Sequence, residues 1–495
     1  MTKNVEKNNG KLSRRNLLLT SGIGVAAAAI GGTAFALENA ATAANAGTLI
    51  ESKVLLSKNG LLDITLTAAF ITKTIAGKQV QMLAYNGSVP GPTLWIKPGD
   101  KLRIKFVNKL GYTTNLHTHG LHVSPERNGD NPFVMIEDGQ SFQYEYQLPK
   151  DHPAGTYWYH PHHHGQAANQ TFGGLYGAIV VDEGINMGQV TERVMVISDV
   201  SVTTDGRVAG ANMMSKMMGR EGDFILVNGS VQPTASINRG EERWHIINAC
   251  VSRNLNLSVA GAKASLIQRD GHTLAKSEAA KGVLMSPGNR IDVVVRPGGG
   301  DVSLRYTTVP HPDSMGMMGM SSRTYKDYPL VTFKDTGKQV NQGMLMWSPA
   351  NYADLRKSVV TTKRTFTLNM PSMGNMGGMM GGGMGNMAGQ FTINGQSFDP
   401  NRIDTSVKFA AVEEWTIVNK STMAHPFHLH VWPMQILNDG SKDVADVHYQ
   451  DVVNVPAKGQ ITVRVRFADF KGQAVYHCHI LDHEDLGMMG IIEAL

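Results

Sequence analysis

A chain of 495 residues is too long for one ordinary hydrophobic core, so two to four domains are expected, each burying its own. A formal charge of +5, from 46 basic and 41 acidic residues, gives no electrostatic case for a nucleic-acid partner or an anionic membrane surface. No stretch is long and apolar enough for a transmembrane span, and two cysteines, Cys250 and Cys478, are too few for a disulfide framework.

Residues 1–46 open on Lys3, Lys7, Lys11, Arg14 and Arg15 and run into a Gly/Ala-rich apolar stretch from Leu17 to Gly32, too short to cross a bilayer. Ser13-Arg14-Arg15-Asn16-Leu17-Leu18 resembles the twin-arginine signal, and Ala34-Phe35-Ala36 or Ala44-Asn45-Ala46 suits a signal peptidase. The expectation is a twin-arginine export signal, with a periplasmic product in a Gram-negative host. Five basic and two acidic residues lie in this leader, so only about +2 of the charge belongs to the rest.

Beyond it, short alternating segments bounded by Gly, Pro and Asn predict an all-β chain. One pattern occurs three times. Asn86-Gly87 precedes a strand Lys101 to Val107 and Asn108; Asn228-Gly229 precedes a strand Glu242 to Ile247 and Asn248; Asn394-Gly395 precedes a strand Glu414 to Val418 and Asn419. A repeat on this scale predicts three consecutive sandwiches, 47–185, 190–335 and 360–495.

The segments after these three strands differ in their chemistry. After Asn108 come His117 and His119; after Asn419 come His425, His428 and His430; after Asn248 there is no histidine, so the middle unit is expected to be a spacer without metal ligands. His160/His162 and His477/His479/His483 complete four clusters that hold ten of the 18 histidines. Alternate strand residues share a face, so each His-x-His pair presents two imidazoles side by side.

The segment His477-Cys478-His479-Ile480-Leu481-Asp482-His483-Glu484-Asp485-Leu486-Gly487-Met488 is the most specific signal. Cys478 faces away from its two neighbours, so its thiolate can hold one metal while they hold others. His425, Cys478, His483 and an axial Met488 make up the ligand set of a blue copper electron-transfer site. Cys250, in an apolar run, is expected to be a small buried residue.

With these motifs the chain resembles the multicopper oxidases, in particular the three-domain bacterial branch of laccases and cuprous oxidases. The resemblance implies three cupredoxin-like Greek-key domains and four copper ions. One is type 1, at His425, Cys478, His483 and Met488. The type 2 ligands would be His117 and His428. The type 3 pair would be held by His119, His160 and His479 on one side and His162, His430 and His477 on the other. The implied activity couples four one-electron oxidations to reduction of dioxygen to water, with Glu484 and Asp130 as proton carriers beside Cys478. For both carboxylates the alternative is a solvated surface position.

Three methionine-rich segments, 213–218, 315–320 and 370–387, are not explained by a core; the last has seven methionines in mostly glycine. Exposed thioethers favour soft Cu(I). Met373, Met376, Met379, Met380 and Met423 are therefore candidate ligands for Cu(I) as substrate, although Ser421 stands where the resemblance implies an acidic one. The expected partners are dioxygen and Cu(I), or small phenols and aromatic amines, acting on a monomer with a role in copper resistance. The competing readings are a general laccase, for which the methionines only shield the type 1 site, and a non-catalytic copper carrier or store. The carrier reading explains the methionines but not ten histidines in this arrangement.

Overall fold

The computed structural model describes residues 47–182, 190–309, 326–340, 345, 347, 352–371 and 391–495. The export signal, residues 315–320 and Met373 to Met387 lie outside these.

Among the described residues six sheets form three face-to-face pairs along the chain. The first pair joins a five-stranded sheet ending in His117–His119 to a four-stranded sheet centred on Leu61–Ile75 and Lys101–Lys109. A seven- and a five-stranded sheet, together spanning Thr191–Gln339, form the second pair. A six- and a five-stranded sheet, spanning Thr362–Ala494, form the third. The all-β, cupredoxin-like expectation holds. Each pair encloses its own core, organised around Tyr85 and Phe106, Trp244 and Phe333, or Phe366 and Trp415. A further apolar cluster with Trp158, Phe172, Val196 and Ile247 joins the first sandwich to the second.

The threefold pattern seen in the sequence is a repeated set of hydrogen bonds. Asn86, Asn228 and Asn394 each take a left-handed φ near 50°, followed by a left-handed glycine, as a tight hairpin turn requires. Their Oδ1 atoms accept from Thr67, Val196 and Thr367 N–H at 2.7, 2.8 and 2.8 Å. The strands after these turns run Lys101–Lys109, Glu242–Asn248 and Val412–Asn419, one to three residues longer than the sequence predicts. Each lies beside a parallel strand on one side and an antiparallel strand on the other. Asn108, Asn248 and Asn419 close them identically: Nδ2 donates to carbonyls four or five residues on, and Oδ1 accepts the N–H two residues on.

A buried clamp binds the first sandwich to the second beside the metal centre. His245 Nε2 lies 2.7 Å from Glu192, and its Nδ1 faces both Thr156 Oγ1 and Asp292. Arg243 also holds Asp292. Burial alone would lower the His245 value, but Asp292 and Glu192 outweigh it and raise the imidazole to about 9. Because the folded value exceeds the unfolded one near 6.5, this contribution is fully present below about pH 6.5 and lost as pH rises through 9. At its fullest it is on the order of 3 kcal/mol. The melting temperature of wild type should therefore exceed that of His245→Gln at pH 6 and converge on it above pH 9. Parallel profiles for the two proteins would show that His245 carries no such charge.

Candidate metal centre

Two groups of donors lie back to back across the strand Gly472–Cys478. On one face Cys478 Sγ is 3.4 Å from His425 Nδ1 and 3.8 Å from His483 Nδ1, and the two nitrogens are 3.3 Å apart. Burial pushes the Cys478 thiol far above its ordinary value, so it becomes a thiolate only through a soft cation. The outer nitrogens are occupied by the protein: His425 Nε2 by Ser421 Oγ at 2.7 Å, and His483 Nε2 by the Met217 carbonyl at 3.0 Å. Each ring thus keeps its proton outward and offers Nδ1 inward. Met488 is buried in the same core as Cys478, and its carbonyl accepts the Cys478 N–H at 3.0 Å.

On the other face eight imidazoles meet. His477 Nε2 is 3.1 Å from His162 Nε2 and 3.2 Å from His430 Nε2. His119 Nδ1 is 3.4 Å from His160 Nε2 and 3.2 Å from His479 Nε2. Imidazole nitrogens gathered this closely are placed to share a cation. His117 Nε2 and His428 Nε2 are buried without a hydrogen-bond partner, a cost that a metal ion removes. Burial, with neighbouring imidazoles adding to it, keeps His117, His119, His428, His430 and His479 well below their ordinary value, in the neutral form that ligates. The strand pairings that build this face are His117 opposite His160 and His428 opposite His477.

A family model described as multicopper oxidase matches residues 68–185, and a second of the same description matches 366–494. A solved multicopper oxidase from Campylobacter jejuni, described as a metallo-oxidase, is 32% identical with a TM-score of 0.79, covering 91% of this chain and 96% of its own. The chain belongs to the multicopper oxidase family. A multicopper oxidase of Staphylococcus aureus is 29% identical over 88% of this chain and 89% of its own. A laccase of Bacillus stratosphericus is 24% identical over 83% of this chain and 90% of its own. Multicopper oxidases use copper, dioxygen and a reducing substrate, and the buried imidazoles and thiol fit copper.

The two carboxylates singled out in this oxidase both belong to the centre, and the solvated alternative fails for each. Glu484 is fully buried, 3.1 Å from His477 Nδ1 and 3.7 Å from His162 Nε2. Burial would raise its carboxyl, but the two imidazoles hold it below its ordinary value. Asp130 is 2% exposed; it accepts from Thr118 N–H and lies 2.8 Å from His117 Nδ1. Burial lifts it to about 7 against those Thr118 bonds.

Met423, a candidate Cu(I) ligand from the sequence, is 1% exposed and packed in the third core. Ser421, which stands where the resemblance implies an acidic ligand, places its hydroxyl oxygen 2.7 Å from His425 Nε2. Cys250 and Cys478 are both free and buried, so the expected small buried role of Cys250 stands. Sequence reasoning missed Asp451, whose Oδ1 is 3.1 Å from His119 Nε2, and Met217. Among the described residues no helix is long and apolar enough to cross a membrane.

Proposed function

We propose that this multicopper oxidase takes electrons from Cu(I) at a type 1 site and delivers four of them to dioxygen at a three-copper cluster. The type 1 copper would be held by His425, Cys478 and His483 with Met488 axial, and the type 2 copper by His117 and His428. The type 3 pair would be held by His119, His160 and His479 and by His162, His430 and His477. Bound copper supplies one-electron redox steps and a site for dioxygen; the stoichiometry is four Cu(I), one dioxygen and four protons to four Cu(II) and two waters. Cys478 lies between His477 and His479 in the chain, so the covalent path from it to either cluster ligand crosses a single peptide bond. Glu484 and Asp130 carry protons at the cluster, and burial of every ligand keeps bulk water out. The segment Ser13–Leu18, which resembles a twin-arginine signal, supports export, and oxidation of Cu(I) outside the cytoplasm would serve copper resistance.

One observation favours Cu(I) over phenols. Both type 1 imidazoles are 0% exposed, with outer nitrogens bonded to Ser421 and Met217, so an organic substrate has no imidazole edge to dock on. Met217 belongs to the helix Met213–Met218, whose Met213 and Met214 are 45% and 48% exposed. Exposed soft thioethers about one turn from an electron-entry atom suit Cu(I). The description of the Campylobacter relative as a metallo-oxidase agrees with this.

The test is anaerobic Cu(I) addition to holoenzyme followed by oxygen, with parallel phenol rates. Replacing Met213 and Met214 with leucine should raise KM for Cu(I) roughly tenfold, about 1.4 kcal/mol of binding, and leave phenol turnover unchanged. Serine in place of the methionines of 370–387 tests that segment in the same way. If wild type prefers phenols and neither variant alters Cu(I) kinetics, the general laccase reading replaces this one.

A further inference from the structure

The middle sandwich offers no ligand, yet one of its segments forms a wall of the cluster. Arg290 is fully buried and touches all three sandwiches. Its Nη1 and Nη2 each donate to the Asp451 carboxylate at 2.6 Å, and its Nε donates to the Thr156 carbonyl at 3.1 Å. Asp270 fixes it from behind by accepting the Arg290 N–H at 2.9 Å. Two glycines make room. A Cβ on Gly120 would fall 2.3 Å from Arg290 Nη2 and 2.6 Å from Asp451 Oδ2; one on Gly288 would sit 3.0 Å from the His479 ring. Both also hold left-handed φ values, 86° and 88°.

His119 is turned the opposite way from its neighbours. His160 and His477 donate Nδ1–H to the Pro161 and Cys478 carbonyls and present Nε2. His428 does the same against the Asp451 carbonyl at 2.8 Å. His119 presents Nδ1 to His160 and His479, so its proton must reside on Nε2, where Asp451 Oδ1 accepts it. A backbone carbonyl is fixed by the fold, whereas a carboxylate rotates unless something holds it. We infer that Arg290 is a positioning residue for the cluster: its planar fork locks Asp451 so that the carboxylate takes the His119 Nε2–H and the same residue's carbonyl takes the His428 Nδ1–H. The second sandwich thereby sets the metal-facing nitrogen of one ligand from the first and one from the third. The fork matters because two parallel N–H donors fix the carboxylate plane, which an ammonium does not.

This rests on the proposed copper cluster. The experiment compares wild type, Arg290→Met and the double variant Arg290→Met/Asp451→Leu after copper loading. It reads copper per chain, the type 2 electron paramagnetic resonance signal, the thiolate charge-transfer band and the melting temperature of the copper-free protein. Arg290→Met should bind cluster copper about 10- to 100-fold more weakly, the scale of a lost outer-shell partner. It should alter the type 2 signal while keeping the thiolate band. The double variant removes the stranded charge, so it should regain thermal stability and still fail to hold cluster copper; it decides the matter if the single variant does not fold. Wild-type cluster copper and an unchanged type 2 signal in either variant would overturn the inference. A wild-type protein with no cluster copper would instead overturn the reading of the site itself.

Discussion

Replacing Cys478 with serine should abolish the intense blue band and lower steady-state oxidation to the uncatalysed background, while the histidine cluster keeps its copper. The sulfur stands 3.4 and 3.8 Å from two imidazole nitrogens in a fully buried pocket, and a hydroxyl there offers neither a soft donor nor an accessible anion. The flanking His477 and His479 point to the opposite face, each within about 3.2 Å of another imidazole, so their grouping does not depend on the sulfur. Absorption spectra with copper analysis check this directly, and a serine variant that remains blue would remove Cys478 from the ligand set.

Glu484→Gln should slow dioxygen reduction by about 100- to 10,000-fold, the range for a lost proton-transfer group, with copper content and the blue band preserved. Glutamine keeps the shape but removes the charge and the capacity to carry a proton. The carboxylate oxygens make no aligned hydrogen bond although they are buried between His477 and His162, so little structure depends on them. Asp130→Asn should have a smaller effect on turnover and a larger one on stability, because that side chain is already committed to Thr118 and His117. Anaerobic reduction by Cu(I), followed by stopped-flow reoxidation, separates the two half-reactions. Reoxidation at the wild-type rate in Glu484→Gln would assign proton delivery elsewhere.

The ligands were legible in the sequence because chemistry repeats there at short spacing. His-x-His on a strand and Cys478 between two histidines follow from side-chain alternation alone, and the paired asparagines marked equivalent turns in all three sandwiches. Glu484 was legible because it adjoins His483. Arg290, Asp451 and Met217 were not. Arg290 and Asp451 are lone residues in ordinary segments 161 residues apart, and Met217, although it lies in the methionine run 213–218, acts through its backbone carbonyl on His483, 266 residues further on. The middle unit therefore read as a spacer for want of histidines, while its contribution is a guanidinium and a carbonyl.

The short helix Leu481–Asp485 gives each successive residue to a different neighbour. Asp482 grips Arg220 of the second sandwich, His483 faces Cys478, Glu484 faces the cluster, and Asp485 accepts the N–H groups of Ala167 and Ala168 in the first. Its partners on the cluster begin far upstream, with 360 residues between His119 and His479. A nascent chain carrying only the first sandwich has two of the four histidine groups and no thiolate to place against them. The thiol and its two imidazoles all belong to the third sandwich, whereas the cluster draws four imidazoles from the first and four from the third, so the cluster is complete only once the last sandwich has been made and has docked against the first.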